Sequence, residues 1–202
     1  LTGLDLRSVL FQSKDIRPFI ATELYKSVLT ALAREQEKLK REIFGQVSWV
    51  RPQGQHLTLK FFDNISRTDA ENIRAVVERQ TARVSPFALT VEKLGTFPDS
   101  RKPRVLWSAV AGSLGELTAL QSALDTDFEA LGFARENRPY KPHITLARIK
   151  TLQAQGGIGA VLGRHDRFTA GEFMVRELIL FQSRLGPQGA VYSKLAVIPL
   201  GG

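Results

Sequence analysis

The chain of 202 residues lacks cysteine. Disulfide bonds, thiolate metal sites and a cysteine nucleophile are therefore excluded. An apolar run of the roughly 20 residues that cross a bilayer is also missing, and no basic segment followed by an apolar one opens the sequence. We expect a protein of the reducing cytoplasm that has no membrane partner.

Two further enzyme classes lack their motifs. The sequence has no G-x-S-x-G segment, which carries the nucleophile of many serine hydrolases. It also repeats no carboxylate at a ligand-like distance from its histidines, as a metal site without cysteine would require. We expect neither a metal nor any other cofactor.

The charge balance is strongly basic. Lysine and arginine together number 28 against 20 aspartates and glutamates, which gives a formal net charge of +8. A positive field favours anionic partners such as nucleic acid or phosphorylated metabolites. The apolar fraction of 43% is sufficient for a hydrophobic core, so the chain is expected to fold.

An internal repeat relates two parts of the chain. A shift of 87 residues superposes His56 on His143 and carries Thr58 onto Thr145. Such self-similarity predicts two like units, roughly residues 15–86 and 104–173. The same shift also matches Arg17 with Arg104, Gly45 with Gly132, Pro52 with Pro139 and Leu59 with Leu146.

Hydrophobic periodicity predicts the same elements in both units. In the first, a strand over residues 18–23 precedes a helix over residues 24–44 that ends at Gly45. In the second, a strand over residues 105–110 precedes a helix that ends at Gly132. The pattern indicates a repeated strand–helix unit.

Other local signals complete the outline. Ser113 with Glu116 and Thr68 with Glu71 have the spacing of a capping box, which predicts a helix start at each. The glycine-rich residues 155–163 predict a flexible surface connection. Further strands are expected over residues 87–97, 173–182 and 191–200.

Each unit is too short to enclose a complete core by itself. We therefore expect one two-lobed domain over residues 1–202, in which the remaining strands complete the lobes. The predicted fold is α+β: a bilobal, pseudo-two-fold duplicated unit with two antiparallel sheets lining a central cleft and helices outside. No heptad or edge-pairing signal stands out, so the chain is expected to be a monomer.

The repeated segments HLTL and HITL share the pattern H-x-T-x and are flanked by strand-forming residues. Residues i and i+2 of a strand point to one face, so His56 accompanies Thr58 and His143 accompanies Thr145. Taken singly, an H-x-T segment means little. Two of the chain's three histidines, however, occupy equivalent repeat positions, which favours convergence of both pairs on one small anion.

Two imidazoles and two hydroxyls suit a metal-free attack on a phosphodiester. One neutral imidazole takes a proton from water, and the other, as imidazolium, protonates the departing ribose oxygen. The threonine hydroxyls donate hydrogen bonds to non-bridging oxygens, with a cation beside them. Arg148 is the foremost candidate for that cation, with Lys60 and Lys141 behind it.

The third histidine, His165, lies among Arg164, Asp166 and Arg167. This polar setting is typical of a solvated loop. We therefore expect no catalytic function for it.

These residues resemble the two-histidine phosphoesterases, specifically the bacterial and archaeal RNA 2′,3′-cyclic phosphodiesterases, also called 2′-5′ RNA ligase-like proteins. The likeness covers nearly the whole chain. After RPFIA the family commonly continues with an acidic residue and a proline, whereas residues 22–26 of this chain read TELYK. The resemblance therefore does not define how the base or the adjacent nucleotide is bound. Besides the two motifs, the likeness rests on RPFIA at residues 17–21, GTFP at 95–98, LGF at 131–133 and GPQGAVY at 186–192.

The resemblance implies a bilobal α+β fold and conversion of a terminal 2′,3′-cyclic phosphate of RNA to a 2′-phosphate. His56 would be the proton donor and His143 the proton acceptor. Family members are also named for joining tRNA halves through a 2′-5′ linkage, the reverse reaction, so such RNA ends are the implied partners. The implied phosphate-binding residues are Thr58, Thr145 and Arg148, and Phe19 of the RPFIA segment is a further substrate-binding candidate.

Two alternatives stay open. The same chemistry would serve a small cyclic nucleotide or an ADP-ribose cyclic phosphate. A protein of another class, a non-catalytic module that binds RNA or nucleotides in the same cleft, would need neither proton-transfer group.

Overall fold

Strands contain more residues than helices in the structure, a computed structural model that describes residues 16–136, 138–154, 156–186 and 189–201. The strands are β1 (Arg17–Glu23), β2 (Ile43–Phe44), β3 (Val47–Trp49), β4 (His56–Phe61), β5 (Phe87–Phe97), β6 (Val105–Gly112), β7 (His143–Ile149), β8 (Gln153–Ala154), β9 (Thr169–Val175), β10 (Glu177–Gly186) and β11 (Gly189–Pro199). The helices are α1 (Lys26–Leu39), α2 (Arg67–Thr81), α3 (Leu114–Ala130) and α4 (Gly157–Arg164).

One antiparallel sheet holds the two predicted lobes together. Its strand order is β11-β10-β1-β4-β7-β6-β5-β9, with β3 also paired to β7, while β2 and β8 form a separate two-stranded sheet. The expected α+β fold with antiparallel lobes is confirmed. The two sheets that the sequence predicts form one continuous sheet. They are joined where Leu57 of β4 pairs with Ile144 of β7.

The strand order reproduces the sequence repeat. The first unit contains β1, α1, β4 and α2 in that order, with the short strands β2 and β3 before β4. The second contains β6, α3, β7 and α4, with the short strand β8 before α4. The strand after each unit crosses over: β5 pairs with β6, and β10 pairs with β1. Each half of the sheet is thus completed by a strand from the other half of the chain.

The helices interlock the halves in the same way. Helix α1, which follows β1, packs against β9 at the far edge of the sheet, whereas α3 packs against α2 and β4. A single large core of buried side chains results, and it extends through both halves. A second, small cluster lies apart from that core and contains Phe19, Ala21, Ile179 and Phe181, with Tyr192 against it.

Two helix boundaries and one helix cap differ from the sequence-based expectation. Helix α1 ends at Leu39, so Gly45 is not its stop. Helix α2 is opened by a capping box of Ser66 and Asp69, two residues before the predicted one. Helix α3 does begin after Ser113, but the Ser113 side chain forms no capping hydrogen bond.

The prediction of a flexible glycine-rich connection was wrong. Residue 155 lies outside the described residues, but Gly157–Arg164 form α4. Ile158 and Val161, three residues apart, are both buried in the main core, and this burial outweighs the low helix propensity of the glycines in α4.

Candidate active site

The two H-x-T-x motifs open two neighbouring strands. His56 is the first residue of β4 and His143 the first of β7, and between them Leu57 pairs with Ile144 in antiparallel register. One step of that register to either side places His56 opposite Thr145 and Thr58 opposite His143. Side chains directly opposite each other have Cβ atoms about 4.5–5.5 Å apart. The pairing of Leu57 with Ile144 thus sets each histidine on the strand next to the threonine of the other motif.

Equivalent β-bulges follow both motifs. In β4, Ile20 pairs with Lys60 but Ala21 pairs with Thr58, so Leu59 is the extra residue. In β7, Leu106 pairs with Ala147 but Trp107 pairs with Thr145, so Leu146 is the extra residue. A bulge reverses the alternation of side chains beyond it. The residues thereby brought to the face of the catalytic motifs are Phe61 and Arg148, both exposed.

The bulge also accounts for the position of Lys60, which strict alternation would have placed beside His56. Its side chain is only 5% exposed. The Lys60 Nζ atom donates to Asp125 Oδ1 at 2.5 Å and to the Ala134 carbonyl at 2.7 Å. The ammonium thus ties β4 to α3 and is already neutralised by a carboxylate.

His56 lies within an aromatic shell. Phe19, only 1% exposed, stacks on its ring at a centroid distance of 4.8 Å, and Tyr192 meets it edge-on at 5.3 Å. Burial lowers the pKa of His56 to about 4, against the opposing effect of the Glu23 carboxylate. Phe19 therefore orients the imidazole from beneath, and the free enzyme holds this ring neutral at physiological pH.

His143 has a defined tautomer. Its Nδ1 atom lies 2.7 Å from the Lys141 carbonyl oxygen, which can only accept a hydrogen bond. In the neutral ring the proton is therefore on Nδ1, and Nε2 presents a lone pair. Burial lowers the pKa of His143; the hydrogen bond to Lys141 opposes this effect, and the Arg148 charge adds to it.

A second set of aromatic side chains supports His143 and the strands around it. Phe97 meets the His143 ring edge-on at 5.0 Å, and Trp107 packs on Phe97 at 4.9 Å. The Tyr140 hydroxyl donates to the Thr58 carbonyl at 2.9 Å, which links the segment before β7 to β4. Residue types and spacing alone did not single out Trp107 or Tyr140, whereas Phe97 and Tyr192 stand in segments of the family resemblance.

Two cavities adjoin the motifs. The first, of about 770 Å³, contains Thr58 and His143 in its wall together with Lys141. The second, of about 1120 Å³, is bordered by Phe19 and Arg148. Phe61 borders both, and three further arginines surround the second: Arg17, Arg135 and Arg138.

His165 is not the solvated residue that the sequence indicated. Helix α4 brings it against α1, where its side chain is 9% exposed. Its Nδ1 atom contacts the Glu35 carboxylate, and its Nε2 atom lies 2.8 Å from Glu42 Oε1. Its polar neighbours in sequence gave no indication of a half-buried histidine held between two carboxylates.

Three further expectations concern metal ions, membrane-spanning helices and the GPQGAVY segment of the family resemblance. Within the described ranges, no three histidine, aspartate or glutamate side chains are grouped so that they could hold a metal ion. Over the same ranges, no helix has the length and apolar character to cross a bilayer. In the GPQGAVY segment, Pro187 and Gln188 lie outside the described residues.

Known proteins with similar sequences identify the family to which this chain belongs. Residues 28–187 match the family model of the 2′-5′ RNA ligase superfamily. The chain is 31% identical to the RNA 2′,3′-cyclic phosphodiesterase of Methanothermobacter thermautotrophicus, over 92% of this chain and 99% of that one. It is also 31% identical to the enzyme of that name from Archaeoglobus fulgidus, over 90% and 99% of the two chains.

A solved structure agrees with these relatives. The crystal structure of a protein from Thermus thermophilus superposes with a TM-score of 0.78 at 29% identity, over 93% of this chain and 99% of that one. The resemblance to the two-histidine phosphoesterases is therefore confirmed, and with it the assignment as an enzyme. The chain belongs to the 2′-5′ RNA ligase superfamily and is similar over nearly its whole length to RNA 2′,3′-cyclic phosphodiesterases.

Proposed function

We propose that this protein hydrolyses the 2′,3′-cyclic phosphate at an RNA end to a 2′-phosphate, with His143 as general base and His56 as general acid. The pairing of Leu57 with Ile144 carries the proposal, because it sets both motifs side by side on adjacent strands. Two proton-transfer groups flanking one small site are what an in-line displacement at phosphorus requires.

The tautomer of His143 supports its assignment as the base. With Nδ1–H donated to the Lys141 carbonyl, the Nε2 lone pair is free to take a proton from water. The water oxygen forms a bond to phosphorus while the bond from phosphorus to the ribose O3′ atom breaks. The products are a 2′-phosphate and a free 3′-hydroxyl.

His56 supplies the proton that the departing O3′ atom receives. The burial that lowers its pKa to about 4 in the free enzyme disfavours the imidazolium form. An anionic phosphate bound beside the ring opposes that effect, because a nearby negative charge raises the pKa of an imidazole. Substrate binding thus helps to load the acid.

The remaining polar groups have complementary functions. Thr58 and Thr145 donate hydrogen bonds to the non-bridging oxygens, and Arg148 stabilises the charge that develops on them. Lys141, exposed at the mouth of the first cavity, adds positive charge there. We assign no substrate contact to Lys60 or Phe19, since one is bound to Asp125 and the other is buried beneath His56.

The second cavity supports RNA over a mononucleotide as substrate. Phe61 is 57% exposed at its border and offers a stacking surface for a base. Arg17, Arg135, Arg138 and Arg148 surround it and suit the phosphates of a strand. A small cyclic nucleotide or an ADP-ribose cyclic phosphate would leave this surface unused. A bound 5′-hydroxyl end would replace water as nucleophile, which is the 2′-5′ joining reaction of RNA ends such as tRNA halves.

The test is incubation of the protein, with a chelator present, with an RNA oligonucleotide that ends in a 2′,3′-cyclic phosphate. Mass and end-group analysis should show the gain of one water and a 2′-phosphate. His56→Ala and His143→Ala should each remove most turnover without loss of fold. Unchanged RNA, or full activity in both variants, would contradict the proposal, and equal turnover of a cyclic mononucleotide would contradict the preference for RNA.

A further inference from the structure

A polar side chain interrupts the apolar face of α3 at the first cavity. Gln121 is 8% exposed and forms part of the cavity wall. This position on the buried stripe of an amphipathic helix is ordinarily apolar. The other buried residues of the helix are all apolar: Leu117, Leu120, Leu124 and Phe128.

The Gln121 amide has no hydrogen-bond partner among the described residues. Within that part of the chain, the unpaired side-chain atoms sealed from solvent are Gln55 Oε1 and Trp107 Nε1. The amide of Gln121 is therefore open to the cavity. An unpaired amide in a buried wall is costly, and a molecule in the cavity that supplies a donor and an acceptor offsets this cost.

Asp125 extends the polar part of the wall. It lies four residues further along α3, hence one turn away on the same face, and borders the same cavity. Its Oδ1 atom accepts from Lys60, which fixes the carboxylate in place. Its second oxygen accepts no hydrogen bond from the described part of the chain and lies one helical turn from Gln121. Together the two residues present one donor and two acceptors.

The same cavity reaches the proposed catalytic site, since Thr58 and His143 also border it. Phe97 and Tyr140 border this cavity as well and provide aromatic surface, on which a base stacks irrespective of its identity. A ribose whose phosphate lies at His143 would direct its base along this cavity. Gln121 and Asp125 would then distinguish one base from another.

We propose that this cavity is a nucleobase subsite, in which Gln121 and Asp125 recognise the Watson–Crick edge of the base on the cyclic-phosphate nucleotide. One donor and two acceptors complement guanine, whose edge offers one acceptor and two donors. Uracil, with a single donor between two acceptors, fits least well. The proposal rests on the proposed function, because it assigns the base of that same substrate.

The test compares four RNA trinucleotide 2′,3′-cyclic phosphates that differ only in the terminal base, together with one whose terminal nucleotide is abasic. The wild-type kcat/KM should be greatest for guanine and least for uracil. Gln121→Leu, which keeps the side-chain size, should lower kcat/KM for guanine by roughly 10- to 100-fold and bring the four bases to similar values. Turnover of the abasic end should be unaffected.

The matched control is Gln153→Leu, the same substitution at an exposed position of β8, which should leave the base preference intact. Equal kcat/KM for all four bases in the wild type, or a preference unchanged in Gln121→Leu, would overturn the subsite. An equal loss on the abasic end would do so as well, since it would indicate a general effect on the fold.

Binding separates this proposal from the hydrolysis itself. Calorimetry with the four nucleoside 2′-monophosphates should give the smallest Kd for guanosine 2′-phosphate, and Gln121→Leu should remove the difference. Base-selective binding without any turnover would support the subsite and contradict the proposed reaction. Turnover with no base selectivity would do the reverse.

Discussion

Leu59 of β4 and Leu146 of β7 occupy equivalent positions of the sequence repeat, and each is the extra residue of a β-bulge. Beyond the bulges, Phe61 and Arg148 are directed to the face of the two histidines. Duplication thus supplied the same backbone irregularity twice, with an aromatic side chain in one copy and a cation in the other. The two halves of the proposed site therefore differ in the side chain that follows the bulge.

Loss of the Arg148 charge should impair the reaction rather than the fold. We expect Arg148→Met to lower kcat/KM by about 100-fold, the usual cost of removing a group that stabilises developing negative charge. Arg74→Met, which removes an exposed arginine of α2 paired with Glu78, serves as the matched control and should not change kcat/KM. Steady-state kinetics on the cyclic-phosphate oligonucleotide measures both. A wild-type kcat/KM in Arg148→Met would remove this residue from the site.

Loss of the Lys60 charge should impair the stability of the fold rather than the reaction. Lys60→Met leaves the Asp125 carboxylate without its cation in a largely buried setting, which is expected to cost on the order of 3 kcal/mol of unfolding free energy. Urea unfolding measures that cost, and Lys60→Met/Asp125→Asn should recover part of it. A variant of unchanged stability but much reduced kcat/KM would indicate instead that Lys60 holds the phosphate.

The dependence of kcat/KM on pH should be displaced toward acid. This parameter reports the free enzyme, in which the pKa values of His56 and His143 both lie below the ordinary 6.5. Above both values no imidazolium is left to act as acid, and below both no neutral ring is left to act as base. The maximum should therefore lie below pH 6.5.

The profile of kcat should lie at higher pH than that of kcat/KM, because the bound phosphate raises the pKa of the acid. Titration of the His56 ring by NMR in the free protein gives a direct check. A midpoint for His56 near or above 6.5, or a kcat/KM maximum on the alkaline side of that value, would contradict this account.

The four residues of the proposed catalytic site could be named from the sequence because their signal is local and repeated. His56, Thr58, His143 and Thr145 follow strict strand alternation before the bulge, so the sequence alone places them on a common face. The position of Lys60 was not predictable, because a bulge has no reliable signature in residue type and reverses the face of all that follows.

The remaining features of the site could not be predicted, because they depend on the pairing of strands that are distant in sequence. The aromatic shell of His56 includes Phe181 and Tyr192, which β10 and β11 bring to β1 from more than half the chain away. Hydrophobic pattern shows that such residues belong to strands but not which strand they adjoin. His165 was misjudged for the same reason, since its partners Glu35 and Glu42 are distant in sequence.

The clamp formed by His165, Glu35 and Glu42 should make stability depend on pH. Burial alone would lower the pKa of His165, but its hydrogen bonds to Glu42 and Glu35 outweigh that effect and raise it. A raised folded-state pKa contributes stability that is fully present below the unfolded value of about 6.5 and is lost as pH rises through the folded value. The Tm difference between wild type and His165→Gln should therefore be greatest below pH 6.5 and shrink at alkaline pH.

Lys40→Met is the control for the clamp, since it removes the exposed ion pair of Lys40 with Glu37, a pair that contains no histidine. Its Tm difference from wild type should stay constant from pH 6 to about pH 9. A Tm difference for His165→Gln that is equally flat would show that the imidazole is neutral throughout and that the clamp carries no charge.

Gly95 should be required for the aromatic support of His143. A Cβ atom at this position would lie 2.3 Å from two carbons of the Trp107 ring, so Gly95→Ala must displace the indole that packs on Phe97. Overpacking of this kind costs about 1–3 kcal/mol, and a shifted Phe97 would release the His143 ring that it meets edge-on. Gly115→Ala, in α3 with nothing near the added carbon, should instead raise stability by roughly 0.5–1 kcal/mol. Urea unfolding and kcat on the cyclic-phosphate RNA distinguish the two variants, and an unchanged kcat in Gly95→Ala would show that His143 holds its position without the aromatic pair.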